Sequence, residues 1–254
     1  MRNFIIICSI LGVFMGCASS NPGKTSGKAE TNYIISMPER NSLIIIGVSG
    51  PQLKPEQEIE TAREDAARKA SMYHGLNASV TSIQSIGTNA LDYYTDSGFQ
   101  LDYNTQIDQY KERLSFDPEH DVTRGDGVVF VRFSYPAAFP ASINYKSTKE
   151  SDGSPGWIKH PPLDINGFMA QVGFAKRQMR LRDTIARSSE DAIAHLITRS
   201  SSSIDTRETS YNEVTSSVIS QKSSGRLLNF LILETWIDPK DLSVWTLTVA
   251  KNVN

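Results

Sequence analysis

The chain has 254 residues, a formal net charge of −2, 39% hydrophobic residues and 21% charged residues. This apolar fraction excludes wholesale disorder, and the length suits one or two domains. The near-neutral charge argues against a dedicated nucleic-acid-binding protein, which would normally carry a strong basic excess. The two cysteines are Cys8 and Cys17, so the remainder has neither a disulfide nor a thiolate metal site.

The first residues have the pattern of a bacterial signal peptide, predicted to cover residues 1–16. Residues 4–15 form an apolar run of twelve residues after Arg2, too short to span a bilayer but typical of a signal-peptide core. Phe14-Met15-Gly16-Cys17 resembles a bacterial lipobox, although its first two residues depart from the usual Leu and small residue. We therefore expect cleavage between Gly16 and Cys17 and acylation of Cys17, typically with palmitate. A plain secretory signal with a chance cysteine is the alternative.

The residues after the predicted cleavage point to an outer-membrane anchor. Two or more acyl chains attach a protein stably to a bilayer, whereas one chain gives only marginal binding. Ala18 follows the cysteine, so the Asp that signals inner-membrane retention in enteric bacteria is absent. Residues 18–32 contain no large apolar side chain and are predicted to form a flexible tether. We expect an outer-membrane protein that faces the periplasm, with exposure at the cell surface left open.

The rest of the chain is predicted to contain two copies of one structural unit. Gly47 and Gly173 each end an apolar run and lie 126 positions apart. The same offset aligns Glu64-Asp65-Ala66 with Glu190-Asp191-Ala192. It also aligns two stripes with helical spacing: Ile59, Ala62, Ala66 and Ala70 with Ile185, Ser188, Ala192 and Leu196. One offset thus relates both a strand and a helix face, which predicts an internal repeat.

Each unit is predicted to consist of a strand, a helix and antiparallel strands. The first helix should begin at Pro55, a residue favoured at the first helical position. Phe116-Asp117-Pro118 before Val128-Val129 resembles Ile237-Asp238-Pro239 before Val244-Trp245, and both pairs predict β-hairpins, the first with a longer loop. The lead-ins Tyr33-Ile34 and Trp157-Ile158 also resemble each other.

The predicted organisation is therefore α+β, with two tandem repeats in which a helix packs on an antiparallel sheet. The first repeat covers residues 33–140, a polar linker covers 141–155, and the second repeat covers 156–254. Residues 92–110 are rich in aromatic residues and could pair as strands. Residues 198–224 are rich in Ser and Thr and could be an edge strand, a polar helix or a loop.

The lipobox, the lead-in with a proline, the strand that ends in glycine and the acid-Ala helix together resemble the Lpp-twenty lipoprotein family of Gram-negative bacteria. They are also similar to the related N-terminal domain of the flagellar assembly protein FlgT. The second unit, from Trp157 through Gly173 and Glu190-Asp191-Ala192 to Trp245, matches best. The resemblance implies an α+β fold and an envelope location, and it implies no catalytic residue.

No pattern in the sequence indicates catalysis or a cofactor. The histidines His74, His120, His160 and His195 lack zinc-ligand spacing, and no nucleophile-elbow motif occurs. The acids Asp117, Glu119, Asp121 and Asp126 could hold calcium, but their spacing does not match an EF-hand and a solvated turn is the simpler interpretation. We therefore predict no enzyme activity, no metal and no cofactor.

Four basic residues at the start of the second helix form a candidate binding surface. They are Lys176, Arg177, Arg180 and Arg182, and they could meet anionic headgroups or an acidic partner, although a solvated face is the simpler interpretation. Trp236 and Trp245 are predicted to pack in the core. His195 should be a partly exposed helix residue.

The predicted function is a non-enzymatic binding or scaffolding role for a membrane-anchored envelope lipoprotein. Its expected partners are the membrane, through the acyl chains, and an envelope protein, with a homo-oligomer left open and no nucleic acid. A flagellar basal-body or motility accessory is the main alternative. A hydrolase of the envelope with an unrecognised site is a third hypothesis.

Overall fold

The structure, a computed structural model, describes residues 33–36, 42–86, 93–138, 140, 143, 145–200, 203–211 and 214–252. The predicted signal peptide, Cys17 and the predicted tether lie outside these residues. The helices are α1 (Pro55–His74), α2 (Asp108–Lys111), α3 (Gly156–Lys159) and α4 (Leu181–Ser200). The strands are β1 (Tyr33–Ser36), β2 (Ser42–Ser49), β3 (Leu76–Ile86), β4 (Tyr93–Tyr103), β5 (Val122–Gly125), β6 (Val128–Ala138), β7 (Asp164–Ile165), β8 (Phe168–Ala175), β9 (Ser203–Tyr211), β10 (Val214–Ile237) and β11 (Val244–Asn252).

The strands form two antiparallel sheets, so the α+β class is confirmed. The larger sheet has eight strands with a central path β4-β3-β10-β11-β8-β7, and β1 and β9 also pair with β10. The smaller sheet has the order β2-β6-β5. The long strand β10 pairs with β3 and β9 along its first part and with β1 and β11 along its last part. Strands from both sides of the predicted linker therefore belong to one sheet.

The long helix α1 begins at Pro55, as predicted, because proline fits the first helical position and Glu56 and Glu58 favour the positive end of the helix dipole. Three residues of its predicted stripe, Ala62, Ala66 and Ala70, are inaccessible to solvent, and the fourth, Ile59, is half-buried. The corresponding stripe of α4 is buried in the same way, with Ser188, Ala192 and Leu196 inaccessible. Small residues on both stripes let the helices lie close to the strands.

Gly47 in β2 and Gly173 in β8 allow this close approach. A Cβ atom added to Gly47 would lie 2.0 Å from the carbonyl oxygen of Ala62 in α1. A Cβ atom added to Gly173 would lie 2.0 Å from the carbonyl oxygen of Ser188 in α4. Neither separation is compatible with a side chain, so both positions require glycine. Each long helix thus contacts the strand that precedes it at a glycine.

The same two strands have outer edges that the helices cover with polar side chains. The carboxylate of Asp65 accepts a hydrogen bond of 2.9 Å from the backbone N–H of Val48, and the ammonium of Lys69 donates one of 2.7 Å to the carbonyl of Ile46. These bonds satisfy backbone groups that an edge strand would otherwise leave open.

In the second half, Asp191 and His195 occupy the corresponding positions on α4. The Asp191 carboxylate accepts a hydrogen bond of 2.9 Å from the backbone N–H of Phe174. The Nδ1 atom of His195 lies 3.1 Å from the carbonyl oxygen of Val172, to which it donates in the Nδ1-protonated tautomer. His195 is exposed, as predicted, and its ring lies over the edge of β8.

The second predicted hairpin is confirmed, and the first closes through a much shorter turn than predicted. The strands β10 and β11 pair with Ile237 opposite Val244, across the predicted Asp238-Pro239 turn. In the first half, β6 pairs with β5, and the predicted first arm beside Phe116 is reduced to an antiparallel bridge between Ser115 and Ser134. The turn between them is Asp126-Gly127, with positive φ angles of 50° and 74°. An Asp-Gly pair favours a two-residue turn, so the strand that pairs with β6 in this hairpin is β5, which ends directly before Asp126.

The two segments whose structure the sequence left open, residues 92–110 and 198–224, are mainly strands. Residues 92–110 contain β4, which pairs with β3, and then the short helix α2. Residues 198–224 contain the end of α4, the strand β9 and the beginning of β10. The two lead-ins differ from each other, because Tyr33–Ser36 is a strand beside β10 whereas Trp157 lies in the short helix α3.

Candidate binding groove

The two long helices are separated by a groove of about 510 Å³ whose floor is the outer part of the larger sheet. The apolar part of its lining consists of Leu101, Phe230 and Ile232 from this sheet, together with Val48 of β2, Met72 of α1, and Ile185 and Ile193 of α4. Both walls carry charged side chains: Glu64, Asp65, Arg68 and Lys69 on α1, and Arg182, Asp183 and Glu190 on α4. A pocket of this size with an apolar floor and a few polar groups is typical of a binding site.

The charges of the walls are arranged in pairs along each helix. Lys69 contacts Asp65 at 2.6 Å, four residues earlier, and Arg182 contacts its neighbour Asp183 at 3.2 Å. The separation of Arg68 from Asp65 is 3.9 Å. With acids and bases on both walls, the groove suits a partner of mixed charge. The exposed residue Ala186 lies on its rim, where a larger side chain would enter the groove without entering the core.

The predicted basic surface lies at the beginning of α4, but only one of its members reaches the groove. Lys176, Arg177 and Arg180 lie in the exposed segment between β8 and α4. Arg182 lines the groove and is half-buried. Its Cδ atom would lie 3.5 Å from a Cβ atom added to Gly50, so the segment after β2 is a direct neighbour.

Two acids of the first hairpin region, Asp117 and Asp121, accept hydrogen bonds from neighbouring groups of the chain. Asp117 accepts hydrogen bonds from the backbone N–H of Glu119 at 3.0 Å and from the ring of His120 at 2.8 Å. These bonds lower the pKa of the Asp117 carboxyl. Asp121 is buried and accepts a hydrogen bond of 2.8 Å from the backbone N–H of Asp117. Within the described ranges, no three acids, histidines or cysteines come together as metal ligands.

The tryptophans pack as predicted. Trp236 is buried in the main hydrophobic cluster, and Trp245 packs against that cluster with its ring 4.4 Å from that of Phe174. Trp157 is almost fully buried, and its indole Nε1 donates a hydrogen bond of 2.5 Å to the carboxylate of Glu234. Burial raises the pKa of Glu234. Burial, and after it the negative charge of Glu234, raises the pKa of Tyr145 to about 12.

A second polar site, which the sequence analysis missed, lies at the end of α1. The ring of His74 lies 2.9 Å from the hydroxyl of Tyr135, and Tyr110 stacks beside both rings. Partial burial and the positive charge of Arg113 lower the pKa of His74. The residues that meet here come from α1, α2 and β6, so no local spacing could have indicated the cluster.

None of the helices in the described part of the chain combines the length and the apolar character that crossing a bilayer requires. No protein-family model matches the chain, and neither the curated proteins nor the solved structures include a match to it.

Proposed function

We propose that this protein is a membrane-anchored lipoprotein of the bacterial cell envelope that binds an envelope protein rather than catalysing a reaction. The anchor is supported by the lipobox-like residues 14–17 behind a short apolar run. The groove between α1 and α4 is the observation that carries the binding role. We place the protein in the outer membrane, facing the periplasm.

We also propose that the two halves are copies of one α+β unit. Support comes from contacts that recur at the offset of the sequence similarity: Gly47 and Gly173 meet helix carbonyls, while Asp65 and Asp191 accept hydrogen bonds from strand N–H groups. In this view the groove is the surface that duplication created, because it needs one long helix from each copy.

The groove favours a peptide segment of mixed charge with apolar anchors as its occupant. Apolar side chains of such a segment would bury surface against Phe230 and Ile232. Its charged side chains would meet acids and bases on both walls, which favours specificity for one register. A long apolar ligand fits less well, because charges line both sides of the floor.

The groove is tested by in-cell cross-linking with mass-spectrometric identification of neighbours. Ala186→Trp should fill the groove and remove cross-links to the partner, while leaving the amount of protein unchanged. Leu163→Trp places the same side chain on an exposed residue outside the groove and should keep the cross-links. Loss of cross-links in both variants, or in neither, would contradict binding in the groove.

The same experiment addresses the flagellar alternative, which the resemblance to the FlgT domain motivates. Flagellar ring or motor proteins among the partners lost in Ala186→Trp, together with a swimming defect on deletion, would identify a motility accessory. Normal swimming with other envelope partners would restrict the likeness to the fold. Hydrolysis of peptidoglycan or model esters by the purified chain would contradict the non-enzymatic role.

The anchor has its own test. Cys17→Ser removes the acceptor of the acyl chains, so the variant should lose metabolic labelling with palmitate and should no longer be processed at Gly16. Labelling of the wild-type chain that persists in Cys17→Ser would contradict lipidation at this residue.

A further inference from the structure

Two exposed apolar side chains mark the segments that lead into the long helices. Leu53, in the segment before α1, is 99% exposed, and Met179, in the segment before α4, is 97% exposed. They are separated by 126 residues, the offset that relates the two halves. The segments are built alike: the N–H of Gln52 donates to Glu58 in α1, and the N–H of Gln178 donates to Thr184 in α4. Each bond holds the exposed tip beside the first turn of its helix.

Unpaired cations surround the two tips. Lys54 follows Leu53, while Lys176, Arg177 and Arg180 flank Met179, and all four are exposed. Among the residues that the structure describes, none of these four side chains forms an ion pair or a hydrogen bond. Nearby acids are already engaged: Glu58 binds Arg124 at 2.9 Å, and Asp183 binds Arg182 at 3.2 Å. Glu56 in the first turn of α1 is the exposed exception.

Both tips lie at one edge of the molecule. Ala175 pairs with Val244 and Ile237 pairs with Val244, so the segment after Ala175 begins at the end of the sheet where β10 and β11 turn. The end of β2 joins this edge through a shared hydrophobic cluster: Val48, Val128, Phe130, Leu181, Ile185, Ile237 and Val244. We call this surface, defined by Leu53, Lys54, Lys176, Arg177, Met179 and Arg180, the basic-apolar edge.

The chain enters the folded unit at the same edge. Tyr33, the first described residue, pairs with Ile237. Cys17 precedes Tyr33 by 16 residues. A chain of that length spans at most about 55 Å when fully extended. An anchor at Cys17 would therefore hold Tyr33 within about 55 Å of the bilayer, a distance that lets the basic-apolar edge reach the membrane surface.

We propose that the basic-apolar edge is a second membrane contact, which inserts Leu53 and Met179 among anionic phospholipids. The proposal rests on the proposed membrane anchorage for its location, but not for its chemistry. Apolar side chains enter the headgroup region, and cations beside them are attracted to anionic headgroups. The first turns of α1 and α4, the positive ends of their dipoles, directly follow the two tips and add to this attraction. Two contacts, the anchor and the edge, would orient the groove relative to the membrane.

The test separates the edge from the anchor by removing the acyl chains. Residues 17–254 carrying Cys17→Ser retain the whole compact unit Asn32–Asn254 and cannot be acylated on sulfur. Flotation with vesicles of phosphatidylcholine, with or without phosphatidylglycerol, should show binding only when the anionic lipid is present. Higher salt should weaken this binding. The double variant Leu53→Ser/Met179→Ser should lower the affinity for anionic vesicles about tenfold. The double variant Lys176→Glu/Arg177→Glu, which reverses two charges, should lower it at least as much.

The control is Leu163→Ser, which removes an exposed leucine (62% exposed) at the opposite end of β8, where its carbonyl accepts from the N–H of Ala170. It should bind vesicles like the parent chain. The fluorescence emission of Met179→Trp should shift to the blue on vesicle addition relative to the parent chain, while that of Leu163→Trp should not. Equal binding to neutral vesicles, or no difference between edge and control variants, would overturn the proposal. The proposal would also be overturned if the chain did not bind vesicles and if Lys54 and Lys176 were instead cross-linked to an acidic protein. Vesicle binding is measured on the unacylated chain, so it does not depend on whether the wild-type protein is labelled with palmitate. The proposed anchor and the proposed membrane contact can therefore fail separately.

Discussion

Gly47 and Gly173 are the residues at which the distance between helix and sheet is decided. The carbonyl oxygen of a helix occupies the place of the missing side chain in both cases, 2.0 Å from where a Cβ atom would stand. Backbone in a 20-residue helix cannot yield locally, because its hydrogen bonds tie it to the next turns. The single hydrogen of glycine thus determines how deeply each helix is buried.

We expect Gly47→Ala and Gly173→Ala each to lower the free energy of unfolding by about 3 kcal/mol, because the added methyl group forces the helix away from its strand. Chemical denaturation of the purified variants measures this loss. Gly98→Ala is the matched control, since its Cβ would meet nothing closer than Thr81 at 3.9 Å. A loss for Gly98→Ala as large as for the other two would contradict the packing explanation.

Glu234 should make stability depend on pH. Burial raises its pKa above the ordinary value of 4.5, against the opposing hydrogen bonds from Trp157 and Ser147. The folded protein therefore keeps a proton that the unfolded chain has already lost. The stabilisation from this proton is complete below pH 4.5 and is lost as the pH rises through the raised pKa.

The variant Glu234→Gln keeps an oxygen acceptor for the indole of Trp157 and no longer titrates. We expect its free energy of unfolding, relative to the wild type, to increase as the pH rises from 4.5 towards neutrality. Denaturation curves at several pH values give this difference, with the half-buried Glu190→Gln as control. A difference that does not change with pH would show that Glu234 titrates normally.

At the scale of elements, each long helix protects the open edge of the strand before it. An acid accepts from a strand N–H, and a base four residues later faces a strand carbonyl, as Asp65 and Lys69 do for β2. Asp191 and His195 do the same for β8. Four residues bring two side chains to one face of a helix, at a separation that fits consecutive polar groups of a strand.

We expect Asp65→Ala and Asp191→Ala each to cost about 2 kcal/mol of stability, because a strand N–H loses a charged acceptor. His195→Ala should cost about 1 kcal/mol, and His195→Lys should restore that loss because Lys69 makes the equivalent contact in the first half. Thermal unfolding of these variants and of Glu190→Ala, a neighbour that accepts no strand N–H, measures the contribution. Failure of His195→Lys to recover stability would count against equivalent edges.

At the scale of the whole molecule, strand β10 joins the two halves. It pairs with β3 from the first half and with β11 from the second, and α1 and α4 both contact it. The cluster around Val48, Leu181 and Ile237 adds apolar contacts between the halves. The smaller sheet lies wholly in the first half, but the larger sheet needs both halves, because β3 of the first half pairs with β10 of the second.

Cleavage of the connection should leave the halves together. We expect a protease site inserted between Ser151 and Asp152, in an exposed turn, to be cut without separating the two fragments in gel filtration. The uncut protein should unfold in a single calorimetric transition, because the halves share β10. Two transitions, or fragments that elute separately, would show independent domains.

Much of the architecture follows from local patterns. Pro55 and the small-residue stripe predicted α1, and the spacing of apolar residues predicted the strands β2 and β8 with their helices. The Asp238-Pro239 turn predicted the last hairpin. These features are readable because helix starts, amphipathic faces and turns depend on residues close together in the chain.

The candidate site depends on contacts that no local pattern contains. The groove needs α1 and α4 side by side, and the basic-apolar edge needs two segments 126 residues apart to reach one end of the molecule. The His74 cluster and the buried Glu234 likewise arise from residues of separate elements.

The sequence by itself indicated the class of fold, the two long helices and the recurrence of a glycine and an acid at one offset in both halves. It did so because period, turn preference and residue size act locally. The tertiary structure alone decided that β10 joins both halves, that the first hairpin closes at Asp126-Gly127 on β5, and which charges remain unpaired. Strand partners are chosen by burial and hydrogen bonding across the whole chain, so that choice is made only when the chain has folded.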